Sequence, residues 1–300
     1  MVPGMAPGRA TRRGTTRRLR AAGLLAAGLL AAPARGALAQ PDCFPPASSN
    51  EARTMALVSM PIAFSALQAP ELLSPGTVRL TLETSQVPHV SASMATATVC
   101  RPGKGPENAN FLAVIPRPRV LVALPYGLSA EGGWIPPVRV ADVRSNVLGL
   151  ALAWSHPLTS ATVLRVRASG TTGWLEAPIT CDEEGLQEPE SECYQGTPST
   201  DRLHPNMLGA DAAVGWSAYE GKLRPYAGAG YNHLRPRFQV NFTNREGTVD
   251  RTRVSVNLDR FVAYAGADWR PLHSVAVVGE AYASASDGVI ARLGVSYVVR

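Results

Sequence analysis

The chain has 300 residues, of which 45% are hydrophobic and only 17% charged, with a formal net charge of +6. Such a composition excludes intrinsic disorder and differs from the ionic surface of an ordinary soluble domain. The basic excess is local: seven of the 29 Lys and Arg lie in the first 39 residues, which hold no Asp or Glu, so 22 face 23 acidic residues in the rest. A basic nucleic-acid-binding face is thereby excluded for the folded part.

Residues 9–20 are rich in Arg, residues 21–32 read AAGLLAAGLLAA, and Ala37-Leu38-Ala39 precedes Gln40. A positive stretch, a short apolar run and an A-x-A site are the three parts of a secretory signal peptide, predicted over 1–39. The paired arginines (Arg12-Arg13, Arg17-Arg18) point weakly to a twin-arginine variant. An exported chain meets an oxidising space, where Cys43, Cys100, Cys181 and Cys193 favour disulfides. Cys181 and Cys193 flank one acidic loop and are predicted to staple it, which leaves Cys43 for Cys100. No C-x-x-C spacing or His pair argues for a metal instead. Residues 40–75 contain Pro, Ser and one apolar patch from Met55 to Leu67. They fit a short helix, a plug or a periplasmic arm.

From Thr77 onward the hydrophobic period is two. Val78, Leu80 and Leu82 alternate with Arg79, Thr81 and Glu83; Leu148, Leu150, Leu152 and Trp154 alternate with small residues; Val289, Ala291, Leu293, Val295 and Tyr297 close the chain. Successive strand side chains point to opposite faces, so each segment is oily on one side and small or polar on the other. Ten strands are predicted, at 77–85, 118–127, 134–142, 147–156, 161–173, 206–219, 222–242, 252–270, 274–283 and 288–299. Short links, at about 128–133, 157–160, 219–222 and 271–273, alternate with generally longer ones. Tyr126, Trp134, Trp154, Trp216, Tyr226, Trp269 and Tyr297 are placed beside the short links. A row of aromatics at one height is a membrane girdle. A soluble β-sandwich binding module shows the same alternation, but would scatter its aromatics along the strands.

Cross-strand register follows from the pattern. Phe238 opposite Val256 and Val240 opposite Val254 bring Arg235 to Asp259 on the inner face, and Glu280 opposes Arg292. Val275, Val277 and Ala281 then face lipid. Arg260 interrupts the alternation of the eighth strand, which predicts a β-bulge at 259–261.

Signal peptide, alternating strands, an aromatic row and a final strand reaching the C-terminus resemble the bacterial outer-membrane β-barrel superfamily, over residues 76–300. The resemblance implies an all-β, antiparallel, up-and-down transmembrane barrel in the outer membrane. Its partners would be outer-membrane lipid and the barrel-assembly machinery. The chain ends Tyr297-Val298-Val299-Arg300, whereas members of the superfamily often end on an aromatic.

Ten-stranded barrels include proteases with an Asp–His pair at the outer rim, and smaller barrels include lipid A deacylases using Ser and His. His233 has a partner set in Asp259, Arg235 and Arg237, yet no spacing assembles a nucleophile, base and orienting group, so no catalytic residue is assigned. The acidic run between Cys181 and Cys193 reads as a solvated loop rather than a calcium site, and no metal or cofactor is assigned. Arg165, Arg167, Asp211, His233, Arg235, Arg237, Asp259, Glu280 and Arg292 are predicted to form a polar lumen network or pore lining. Around ten strands enclose a narrow lumen that long Arg side chains can close. The expected role is structural, surface-interacting or permeating, with a rim hydrolase as the alternative.

Overall fold

The structure, a computed structural model, describes residues 42–103 and 105–299. The signal peptide predicted over 1–39 lies outside the described residues. Ten strands run up and down: β1 Val78–Gln86, β2 Val114–Ala123, β3 Leu128–Ile135, β4 Val143–Pro157, β5 Thr162–Ala177, β6 Met207–Trp216, β7 Leu223–Leu234, β8 Leu258–Leu272, β9 Val275–Ser284 and β10 Gly288–Val299. Each pairs antiparallel with the next, and β10 pairs with β1. The ladder is closed, so no edge strand is left with unpaired N–H and C=O groups. The predicted all-β barrel of ten strands is the observed fold.

The alternation has the predicted sense along most of the wall. On β4, Leu150 and Leu152 are 56% and 65% exposed, while Val147, Ala151 and Ala153 face in. Two boundaries differ. The turn after β2 lies at Pro125–Gly127, so residues 128–133, predicted as a link, belong to β3. β2 begins at Val114 rather than at the predicted residue 118 and so includes Pro116 and Pro118. They lie where β2 pairs with β1 but has no partner on β3, so their missing N–H groups are tolerated there.

Four short turns, at 124–127, 158–161, 217–222 and 273–274, define one end. The other carries the three-residue turn 285–287 and the connections 87–113, 136–142, 178–206 and 235–257, folded into a cap. Short strands at Asp42–Cys43, Asp201–His204, Arg237–Gln239 and Arg253–Ser255 extend the wall of β5 upward. Helix α1 (Asn50–Ser59) lies within the cap. Ser49 caps it by accepting from the Ala52 N–H at 3.1 Å. Glu51 accepts from the N–H groups of Thr98, Val99 and Cys100 and so ties the first long connection to the helix. Burial works against the Glu51 carboxylate, but the Val99 and Cys100 N–H groups outweigh it and hold its pKa below the usual range.

After α1 the chain turns into the barrel. Residues 60–63 continue in turns, and the irregular stretch to residue 71 passes down the lumen to the short-turn end, where Glu71 meets Arg79, Arg224 and Arg270.

The hairpin of β7 and β8 corrects three expectations. His233, not Arg235, opposes Asp259, and above it Phe238 opposes Val254, two residues from the predicted register. No bulge occurs at 259–261; the irregularity lies between Trp269 and Leu272. Leu258, Val262 and Tyr264 all point inward, whereas Asp259, Phe261 and Ala263 point out, with no change of phase. What changes is the medium. Above the aromatic level the inner face meets the cap's apolar core, and below it the outer face carries the oil.

Candidate functional site

The lumen holds a network of buried charges wrapped around the plug. Glu83 on β1 is fully buried and bonds Arg117 at 2.7 Å and Arg119 at 2.8 Å, both on β2. Arg119 also reaches Glu131 on β3 at 2.8 Å, and Arg167 on β5 reaches Asp211 on β6 at 2.8 Å. Tyr264 on β8 donates to Asp211 at 2.5 Å. Arg292 on β10 lies 3.5 Å from Glu280 on β9, as the cross-strand pairing predicts. Removing two charges from water is costly, and close pairing with hydrogen bonds to most of the guanidinium N–H groups offsets that cost, although Arg165 Nε, Arg167 Nη1 and Arg292 Nε are left without a hydrogen-bond partner.

These arginines are bifunctional: their remaining N–H groups satisfy the plug backbone. Arg117 donates to the carbonyls of Ile62 and Ala63, Arg119 to Ser65, Arg167 to Phe64, Arg165 to Gln68 and Arg292 to Met60. An irregular segment with no strand partner would otherwise bury orphan carbonyls. The Phe64 ring lies beneath the guanidinium groups of Arg119, Arg117 and Arg167, at 4.3, 5.2 and 5.8 Å from its centroid. Gly133 and Gly149 make room for it: a Cβ on either would come within 2.6 Å of the ring. At the short-turn end Glu71 gathers Arg79 at 2.5 Å, Arg270 at 2.5 Å and Arg224 at 2.8 Å.

The structure thus brings Arg165, Arg167, Asp211, Glu280 and Arg292 together in the lumen. It places His233, Arg235, Arg237 and Asp259 elsewhere, on the outer surface at the upper rim. There Asp259 accepts from Tyr231, His233 Nδ1 lies 2.7 Å from Asp259, and Arg235 donates to His233 Nε2 at 2.8 Å. The even-numbered residues of β7 face in, so Tyr226 is a lumen residue that donates to Glu280 at 3.0 Å, not a girdle member. Trp134 is exposed but lies at the upper end of β3, bonded to Asn146 at 3.0 Å. Tyr126, Trp154, Trp216, Trp269 and Tyr297 are exposed at the short-turn end. Two belts result, the upper one built from Trp134, Trp174, Tyr231 and Phe261. Trp269 and Phe261 are eight residues apart on β8, which at about 3.3 Å per residue and a tilt of about 40° separates the belts by about 20 Å.

Glu83, Arg117, Arg119 and Glu131 were missed as network members. Their signal was present, as inward-parity charges on three consecutive strands, but Arg117 lies before the predicted start of β2 at 118 and Glu131 lies in 128–133, which was read as a link.

Both predicted disulfides are present: Cys43–Cys100 ties the start of the described chain to the first long connection, and Cys181–Cys193 staples the acidic loop. Arg101, buried in the cap, pairs with Glu107 and Glu192, and lies 3.5 Å from Asp250. Burial raises the Glu107 carboxyl to about 7 despite Arg101, with Asp201 and Glu192 adding to the rise. Between α1 and the upper wall lies a cavity of about 140 Å³, lined mainly by apolar side chains such as Met55, Val58, Phe111, Leu175, Phe238 and Val254.

The sequence matches no family model and no curated protein. Among solved structures, it is similar to the outer membrane protease OmpT from Escherichia coli, at 8% identity over 75% of this chain and 94% of that one, TM-score 0.42. It is also similar to Ail, the attachment invasion locus protein of Yersinia pestis, at 10% identity over 75% and 100%, TM-score 0.32. A third is the N-terminal β-barrel domain of Pseudomonas aeruginosa OprF, at 12% identity over 76% and 100%, TM-score 0.26. The assignment rests on the molecule's own features. A closed antiparallel ladder, an oily exterior between two aromatic belts and a charged interior make this chain an outer-membrane β-barrel.

Proposed function

We propose that the protein is a non-conducting barrel that serves the cell surface, as a structural or recognition element, rather than a permeation pathway. One observation carries this reading: residues 60–71 fill the lumen from the cap to the short-turn end, and the wall arginines are bonded to their backbone. An Arg-lined pore selects anions only where its charges face water, whereas here they face carbonyls and carboxylates. The cap supports the same reading, because a disulfide-stapled surface covers the end where an open mouth would lie.

Planar-bilayer recording of the full-length protein tests it. The wild type is expected to show no resolved conductance steps. Gly149→Leu, which forces a side chain into the Phe64 ring, is expected to produce intermittent openings. Stable wild-type steps that Gly149→Leu leaves unchanged would refute the reading.

A further inference from the structure

One arginine of the lumen lacks a carboxylate. Arg79, Arg224 and Arg270 pair with Glu71, Arg117 and Arg119 with Glu83, Arg167 with Asp211, and Arg292 with Glu280. Arg165 on β5 is 4% exposed and, among the described residues, has no ion pair. Its Nη2 donates to the Gln68 carbonyl at 2.7 Å, and its Nε has no hydrogen-bond partner. A buried charge without a counter-charge is strongly destabilising, so the place of a missing anion is worth locating.

Beside Arg165, at the short-turn end, a cavity of about 20 Å³ lies between the wall and residues 69–73. Its polar lining is Arg165, Arg79, Glu71, Ser129 and Ser155. The register brings these groups together. Ser155 on β4 directly opposes Arg165, and Ser129 on β3 opposes Ala153, two residues along β4 on the same inward face. Among the described residues neither serine hydroxyl has a hydrogen-bond partner. The charge count has one sign. Arg79, Arg165, Arg224 and Arg270 stand against Glu71 and Asp268, four cations against two carboxylates, which leaves an excess of two. Glu131 and Asp211, one step further up the lumen, are already bonded to Arg119 and Arg167.

The geometry points to a binding site for one monoatomic anion, a halide such as chloride, held by Arg165 and the hydroxyls of Ser129 and Ser155. Size favours it: the cavity exceeds the roughly 10–15 Å³ that a single water needs and is too small for a tetrahedral oxyanion. Donor chemistry favours it too. A guanidinium only donates and each hydroxyl can turn its proton inward, so the three groups offer donors to one acceptor. A halide accepts from all of them and cancels the Arg165 charge, which a water molecule does not. The ion lies against the segment whose Gln68 carbonyl Arg165 holds, and so fastens that segment to the wall. The site stands whether or not the lumen conducts.

Urea unfolding of the full-length protein in lipid vesicles tests it, read by tryptophan fluorescence at fixed ionic strength in sodium chloride, sodium gluconate or sodium sulfate. A ligand that binds only the folded state raises stability as its concentration grows. The wild-type midpoint is expected to rise as chloride replaces gluconate. R165Q removes the charge that calls for the anion and should abolish this gain. S129A with S155A keeps the charge and loses two donors, and should raise the chloride concentration at half gain by at least roughly tenfold. R202Q, which removes an exposed cation of the cap, should keep the full gain. General salt effects act on every variant alike and drop out of the comparison. Heat-dependent gel mobility reports folding, and should R165Q not fold, the serine variant decides alone. No chloride gain in the wild type, a full gain in R165Q, or an unchanged half-gain concentration in the serine variant would overturn the site. A sulfate gain that R165Q abolishes would overturn the monoatomic ligand.

Discussion

The membrane-spanning wall and the cap are built from successive strands with opposite polarity. On β8, Phe261, Ala263 and Trp269 face outward to lipid while Tyr264 and Asp268 face the lumen. A few residues away in the cap, Phe238, Val254, Val256 and Leu258 face inward to an apolar core, and Arg237 and Arg253 face out. Each face follows the medium it meets. Hydrocarbon outside rewards an oily exterior and leaves charges to pair inside. Water outside reverses the sense, as in an ordinary soluble domain. Strand alternation is therefore a statement about faces, and it names inside or outside only when the surrounding solvent is known.

That contrast can be broken most directly at the lumen centre. Glu83→Ala leaves Arg117 and Arg119 without their shared carboxylate and is expected to cost about 3–5 kcal/mol. Arg202→Ala, which loses an exposed pair with Glu176, should cost less than about 1 kcal/mol. Urea midpoints read by tryptophan fluorescence compare the two, and equal losses would contradict the burial difference.

On the lipid face, Leu150→Arg places a charge in the hydrocarbon band and is expected to cost about 2–4 kcal/mol. Refolding yield into vesicles measures it. A neutral result would mean that this face meets water, and the sandwich alternative would return.

The smallest effect sharpens the cap. Glu107 titrates near 7 when folded and near its usual 4.5 when unfolded, so between those values the folded state binds the extra proton. Cap stability should therefore rise as pH falls from about 7 toward 4.5 and decline as pH rises through that window. Amide exchange in residues 105–110 is expected to be more protected at the acid end, and Glu107→Gln should flatten the dependence.

Much of this was legible before any fold was known. Glu280 opposite Arg292 follows from counting residues through a three-residue turn, because a short link leaves one register consistent with both oily faces. Cys181–Cys193 followed from a loop that closes on itself. His233 and Asp259 were correctly placed on one face, but on the wrong side of the wall. The hairpin rises past the upper belt, and the apolar residues used to orient it belong to the cap. Tyr226 was misplaced for a related reason: its neighbours Gly228 and Gly230 carry no side chain to mark parity.

The sequence by itself determined the strand count, the closed all-β architecture and both disulfide pairs, because these rest on local period and on the spacing of four cysteines. Only the tertiary structure decided what fills the barrel. Residues 60–71 have no regular period, and their backbone carbonyls are satisfied by arginines up to 232 positions away, from Met60 to Arg292. A bond between a side chain and a distant backbone carbonyl leaves no mark in either segment's pattern, since every residue type offers the same carbonyl.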